Sequence, residues 1–170
     1  APSWDLAQPF RSLAHNGEIN TLKGNINWMK VHEQEMHSPF FQNIENLKPV
    51  IPSGNSDSAS LDNVFELLTT SGHSAPLAKL MLIPDAWSKK SKVLPKEHLQ
   101  LFNFLNSSME PWDGPAAIAG TDNDWAIVAS DRNGLRPMRY TLTNEKLLFA
   151  GSETGMININ EKKIIEKGRL

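Results

Sequence analysis

The hydrophobic period of the chain changes near residue 116, and that change restricts the fold more than any other feature. Before it, apolar residues recur at helical spacing. Leu61, Val64, Phe65 and Leu68 fall at i, i+3, i+4 and i+7, which predicts a helix over residues 58–70, ended by Gly72. Leu22, Ile26 and Met29 share a face of a second helix over 21–37, with Thr21 as a cap. A short helix is expected over 75–82. Another starts at Pro95 and runs to about Asn106, with Leu99, Phe102 and Leu105 as core candidates. Residues 38–55 are loop-rich, and 89–92 read as a polar connector. After the change, residues 116–121, 125–130, 138–143 and 147–152 alternate as short strands. Their connectors Asp122-Asn123, Asn133-Gly134 and Asn144-Glu145 are turn chemistry. Residues 156–165 are expected to add one or two more strands. Residues 6–14 also have β character, restricted by Pro9 to an edge or irregular strand. Helices grouped ahead of antiparallel strands, with no internal repeat, predict an α+β fold.

Composition narrows the function classes. At 170 residues the chain is long enough for one domain with a core. A net charge of −2 and the lack of a basic patch argue against a nucleic-acid partner. No apolar run is long enough to span a bilayer. There is no cysteine, which removes disulfides, thiolate metal sites and a thiol nucleophile from these residues, and fits a cytoplasmic protein. The chain opens Ala1-Pro2-Ser3-Trp4 without an initiator Met and stops at Lys167-Gly168-Arg169-Leu170. It reads as an internal piece of a longer polypeptide, truncated at both ends.

Three metal- or repeat-like signals fail on spacing. His32 and His37 lie five apart, which turns them about 140° from each other on a helix, so a solvated helix surface is expected. Asp122-Asn123-Asp124 is followed by Trp125 and Ala126 where a calcium loop needs oxygen ligands and Gly, so a hairpin turn is expected. Trp112-Asp113 does not recur at propeller period.

The segment from Pro9 to Thr21 carries the chemistry. Asn16-Gly17 is a tight-turn signal. A turn there presents an Asn amide and a Gly N–H together, which are the two donors an oxyanion hole needs. A plain turn and half of an acyl-transfer site both remain open. Asp57 precedes the 58–70 helix, either as a cap or as a rigid carboxylate for a substrate ammonium. Glu18 is either surface or a second ammonium ligand. Arg132 and Arg136 flank Gly134 and are expected to brace a loop through carboxylate and carbonyl bonds.

His15-Asn16-Gly17-Glu18-Ile19-Asn20, Ser56-Asp57-Ser58, Asp131-Arg132-Asn133-Gly134-Leu135-Arg136-Pro137 with Tyr140, and Ser152-Glu153 resemble class II glutamine amidotransferases, in the right order. Gly24-Asn25 with Trp28-Met29, Asp62-Asn63-Val64, Met81-Leu82-Ile83-Pro84 with Ala86-Trp87, and Met109 through Ala116 are similar to the large subunit of the glutamate synthases. The resemblance runs through nearly the whole chain. It implies part of a four-layer αββα sandwich with antiparallel sheets, of the N-terminal-nucleophile hydrolase type. It also implies hydrolysis of L-glutamine to glutamate and ammonia by an N-terminal Cys whose own amine is the base. Asn16 and Gly17 match the oxyanion hole, Asp57 the substrate-ammonium ligand, and Glu18 its helper in some relatives. The Arg that grips the substrate carboxylate lies upstream in the family and is not assigned to Arg11.

The chain departs from the family pattern in lacking the Cys, its amine and that Arg, so it holds about half of an active site and is expected to be inactive alone. Gly151 also stands where relatives usually have Ala. The parent implied by the resemblance sends its ammonia to a second site that aminates 2-oxoglutarate, with electrons from FMN and an iron–sulfur cluster, neither of them bound in this stretch. The implied partners are L-glutamine, the rest of the large subunit, and a small subunit or ferredoxin. A plastid location is implied for a plant or algal source. Another class II amidotransferase and a degenerate, non-catalytic scaffold stay open as alternatives.

Overall fold

The computed structural model describes residues 10–86 and 94–170. Its first sheet is antiparallel, in the order β1 (Leu13–Gly17), β2 (Ala116–Thr121), β3 (Ala126–Ser130). In the second sheet β4 (Arg139–Thr143) lies between β5 (Leu148–Gly151) and β6 (Ile164–Arg169), again antiparallel. The helices α1 (Leu22–Glu35), α2 (Asp57–Thr70), α3 (Ala75–Leu82) and α4 (Lys96–Ser108) all precede β2. The α+β expectation holds.

The core is where the periodic face of α2 meets the first sheet. Leu61, Val64 and Phe65 of α2, Ala75, Ala78 and Leu82 of α3, Leu105 of α4 and Ile118 of β2 are all buried in one cluster. Apolar side chains at i, i+3 and i+4 have little alternative but to bury together, because each contributes roughly 1.5–3 kcal/mol when removed from water. Gly72 ends α2 as expected. At φ +99 it lets its own N–H reach Thr69 O at 3.2 Å and the His73 N–H reach Leu68 O at 3.1 Å.

Three carboxylates tie the loops to this core, two of them, Asp62 and Asp131, buried. Asp62, on α2, accepts the N–H groups of Arg11, Ser12 and Leu13 at 3.1, 2.9 and 2.7 Å, and so fixes the start of β1 against the helix. Asp122 accepts Ala75 N–H at 2.6 Å and Trp125 N–H at 2.6 Å. It therefore shapes the β2–β3 hairpin, as expected of that turn, and satisfies the start of α3. Asp131 accepts the N–H groups of Asn133, Leu135, Arg136 and Ala116 between 2.8 and 3.1 Å. Burial opposes its charge, but these backbone donors outweigh burial and hold its carboxyl below the usual range.

Several expectations are corrected. The strand expected at 6–14 runs Leu13–Gly17; residues 6–9 and the connector at 89–92 lie outside the described residues. Thr21 holds the N-cap position of α1, but its side chain makes no capping bond. Its hydroxyl donates to Asn25 Oδ1 at 2.6 Å and accepts Asp113 N–H at 2.9 Å. His32 is not merely solvated: its Nε2 lies 2.7 Å from Glu110 Oε2. The loop-rich 38–55 includes a 3-10 turn, Ile44–Leu47. Most of 156–165 is not strand. A 3-10 turn, Glu161–Lys163, intervenes, and pairing starts only at Ile164.

The two sheets differ in cover. Helices cover one face of the first, where Leu13, Ile118 and Ala129 are buried. The second leaves Leu147, Leu148 and Ile165 exposed, with Met156 and Ile157 exposed on the adjoining loop. At Gly151 an added Cβ would come within 2.1 Å of Met156 Cε, so an Ala there requires the end of that flexible side chain to move.

Candidate active site

The register of β1 on β2 decides where its backbone points. Glu18 N–H donates to Pro115 O at 3.0 Å, and Thr121 N–H to Ser12 O at 2.8 Å. Even-numbered residues of β1 therefore turn their amides toward β2, and Leu13, His15 and Gly17 turn theirs to the outer edge. At Leu13 that outward N–H is the one Asp62 accepts. Asn16 and Gly17 are thus the last two residues of a paired strand, not the tight turn their dipeptide suggests. Pairing with Ala117 and Ala116 overrides the local preference.

Gly17 is required where it stands. Its φ is +148, and an added Cβ would sit 1.8 Å from Pro115 O. Gly114 meets the same constraint from the other side, with a Cβ position 2.0 Å from Glu18 O. Beyond them Asn20 N–H bonds Asp113 O at 2.7 Å. Two glycines thus allow the segment after β1 to lie close along the segment entering β2.

Asn16 is exposed at the end of the strand, and its Nδ2 donates to Ser152 Oγ at 3.0 Å. Ser152 is buried and follows β5, so this bond joins the two sheets. His15 points the other way. Its side chain is fully buried, with Nδ1 2.8 Å from Ser58 Oγ and 3.9 Å from Asp57 Oδ2, and its Nε2 has no hydrogen-bond partner among the described residues. Burial lowers the His15 pKa below its ordinary 6.5; Asp57 opposes this and Arg136 reinforces it, so the imidazole is neutral at pH 7.

Asp57 is not the cap of α2. Ser56 caps it, its Oγ accepting Ala59 N–H at 3.1 Å. Asp57 occupies the first helical position. Its Oδ1 accepts Ser58 N–H and its Oδ2 accepts Ile19 N–H, both at 2.8 Å. The carboxylate is 22% exposed and lies between His15 and Ile19, the residues on either side of Asn16-Gly17-Glu18. The Glu18 side chain is exposed and makes no hydrogen bond or ion pair to another described residue.

The arginines brace loops, as expected. Arg132 donates to Pro84 O at 3.2 Å and to Asp113 Oδ2 at 3.3 Å, and Arg136 to Glu153 Oε1 at 3.0 Å. Arg11 is paired with Glu66. The residue that organises the 131–137 turn is Asp131, whose role the sequence reading missed. Ser152 and His15 were likewise read only as parts of motifs. Alternation along β1 gives a signal for His15, since it shares the inward parity of Leu13. No comparable signal exists for Ser152, whose partner is 136 residues away.

Chemically, an exposed Asn amide beside an outward Gly N–H can stabilise a negative oxygen, and a part-exposed carboxylate nearby can hold a cation. No group of three or more potential metal ligands occurs among the described residues, and none of the helices described is long and apolar enough to cross a membrane.

Comparison with known proteins places the chain in a family. The family model of glutamine amidotransferases class-II matches residues 1–170. The chain is 58% identical to the glutamate synthase [NADPH] large chain of Azospirillum brasilense, across 99% of this chain and 11% of that protein. It is 46% identical to glutamate synthase [NADH] of Saccharomyces cerevisiae, across 99% of this chain and 8% of that one. It is 44% identical to the ferredoxin-dependent glutamate synthase of Cyanidium caldarium, across 99% of this chain and 11% of that one. The chain thus spans about a tenth of the length of these relatives. It belongs to the class-II glutamine amidotransferases.

Proposed function

We propose that this chain is part of the glutaminase domain of a glutamate synthase large subunit, and that it contributes the oxyanion hole and the substrate-ammonium ligand. In this reading a Cys thiolate from elsewhere in the parent protein attacks the glutamine carboxamide carbon. The carbonyl oxygen gains charge and is met by Asn16 Nδ2 and Gly17 N–H. The C–N bond breaks, the leaving nitrogen takes up the proton that the Cys thiol gave to its α-amine and departs as ammonia, and water then cleaves the thioester, releasing glutamate and restoring the thiol. Asp57 receives the substrate ammonium, with Glu18 beside the entry. The two sheets would form the inner layers of a four-layer αββα sandwich, and these 170 residues alone would be inactive.

The observation that carries the reading is the end of β1: a glycine that admits no side chain, with its N–H on the open edge, next to an Asn amide held by a buried serine. The parent would pass ammonia to a site that aminates 2-oxoglutarate. FMN and an iron–sulfur cluster are assigned to the rest of that protein. The 170 residues here contain no cysteine and do not fit a cluster site of thiolate ligands. L-Glutamine is the substrate, a small subunit or ferredoxin the partner, and the cytoplasm, or a plastid in an algal or plant source, the compartment.

The test is Asn16→Ala in the full-length protein. A lost oxyanion donor costs about 2.7–4 kcal/mol in related chemistry, so glutaminase kcat should fall roughly 100- to 1000-fold with KM for glutamine little changed. A loss confined to KM would make Asn16 a ground-state ligand and overturn the oxyanion role.

A further inference from the structure

We infer that Ser152 is a positioning residue for the oxyanion hole, acting through the Asn16 amide. The inference rests on the oxyanion role proposed above. A carboxamide on an exposed strand end has two soft torsions, and an oxyanion donor must be held in place before charge develops. Asn16 is exposed, and neither its own strand nor the adjacent β2 restrains its side chain. The restraint comes from the second sheet: Ser152 Oγ accepts one Nδ2 hydrogen at 3.0 Å. An amide nitrogen carries two hydrogens, so this bond fixes the amide plane and leaves the other hydrogen for a reacting oxygen.

Ser152 is suited to this task because it is itself fixed. It is 7% exposed and immediately follows the last residue of β5, whose partner β4 holds Gly151 opposite Arg139. On its other side Glu153 is tied to Arg136, whose own backbone N–H is held by Asp131 at 2.8 Å. Asp131 in turn accepts Ala116 N–H at 3.1 Å, and Ala116 is the residue opposite Gly17. The chain of contacts closes on itself. Asn16 Nδ2 is set by Ser152, and the Gly17 backbone lies opposite a strand residue anchored by the same Asp131 loop. The two oxyanion donors are thus positioned against each other by one turn, although they lie on one strand and that turn joins the two sheets.

The experiment is a double-mutant cycle on glutaminase activity in the full-length protein, with Asn16→Ala, Ser152→Ala and the pair. Losing one neutral hydrogen bond that orients a donor should lower kcat roughly three- to tenfold, with KM for glutamine unchanged. Ser152→Thr retains a hydroxyl and should recover most of the loss. In the Asn16→Ala background Ser152→Ala should add less than about twofold, because the group it orients is already gone. A Ser152→Ala variant with unchanged kcat overturns the inference. So does a double variant whose losses multiply, since Ser152 would then act by another route. If Asn16→Ala itself leaves kcat intact, the oxyanion reading fails, and this inference fails with it. The two failures are therefore distinguishable.

Discussion

The two ends of β1 are built from the same five residues and behave as opposites. At Leu13 the outward N–H is buried and taken by Asp62, which also holds Arg11 and Ser12. At Gly17 the outward N–H lies on an exposed edge, and the α2 carboxylate at this end, Asp57, grips Ile19 two residues further on. Both carboxylates sit on α2, one at its first residue and one five residues later. One strand on one helix thus yields a closed end that serves the fold and an open end that serves chemistry. What separates them is which backbone donors the helix satisfies.

The first way to break this comparison is to exchange the expected phenotypes. Asn16→Ala should cost activity and leave the fold alone. Asp62→Ala should do the reverse. Removing it leaves three backbone N–H groups without their carboxylate, a loss of about 3 kcal/mol in local stability. Amide exchange in the Arg11–Leu13 stretch of the full-length protein should then speed up about 100-fold. Slow exchange with lost activity would show that the closed end is not closed by Asp62.

Asp57→Asn sharpens the comparison at smaller scale. Asn retains an oxygen for Ile19 N–H, and the cap is Ser56, so the fold should persist. Losing the charge should weaken glutamine binding by about 1.5–3 kcal/mol, or roughly 10- to 100-fold in Kd. Unchanged affinity would leave Asp57 as a clamp on the loop after β1 and nothing more.

The smallest expected effect is in pH. The His15 pKa is lowered in the folded protein, so below about 6.5 the unfolded chain takes up a proton that the buried imidazole refuses. The His15 contribution is therefore level above that pH, and stability falls as pH drops toward the folded value. The urea midpoint of the full-length protein, followed between pH 7.5 and 5, should show this slope, and His15→Asn should flatten it. A variant as steep as the parent would remove His15 as its source.

Periodicity made α2 and α4 legible to within about two residues, because Leu61, Val64, Phe65, Leu68, Phe102 and Leu105 must share faces to be buried. The strands from 116 to 152 were legible within a residue or so, because turn chemistry bounds them. Asn16-Gly17 was misread as a turn, because its local preference is real and only the pairing with Ala116 and Ala117 defeats it. Of the 156–165 stretch expected to hold strand, only Ile164 and Ile165 do. Apolar residues from Met156 to Ile159 approach the second sheet near Gly151 instead of joining its ladder. Asp62, Asp131 and Ser152 were legible only as parts of motifs, since Asp62 and Ser152 act on groups far away in the chain and Asp131 ties its own turn to the distant Ala116. Of the candidate site, the residue types could be read, whereas the supports that aim them could not.

The uncovered second sheet has a practical consequence. β5 and β6 are its two edges, and exposed Leu148 and Ile165 lie on them, so each offers unpaired backbone groups next to apolar side chains. A solution of these 170 residues by themselves is expected to be colloidally unstable. Light scattering from it should rise with concentration, and a Lys placed at Leu148 should delay that rise by adding charge to an edge that otherwise invites another strand.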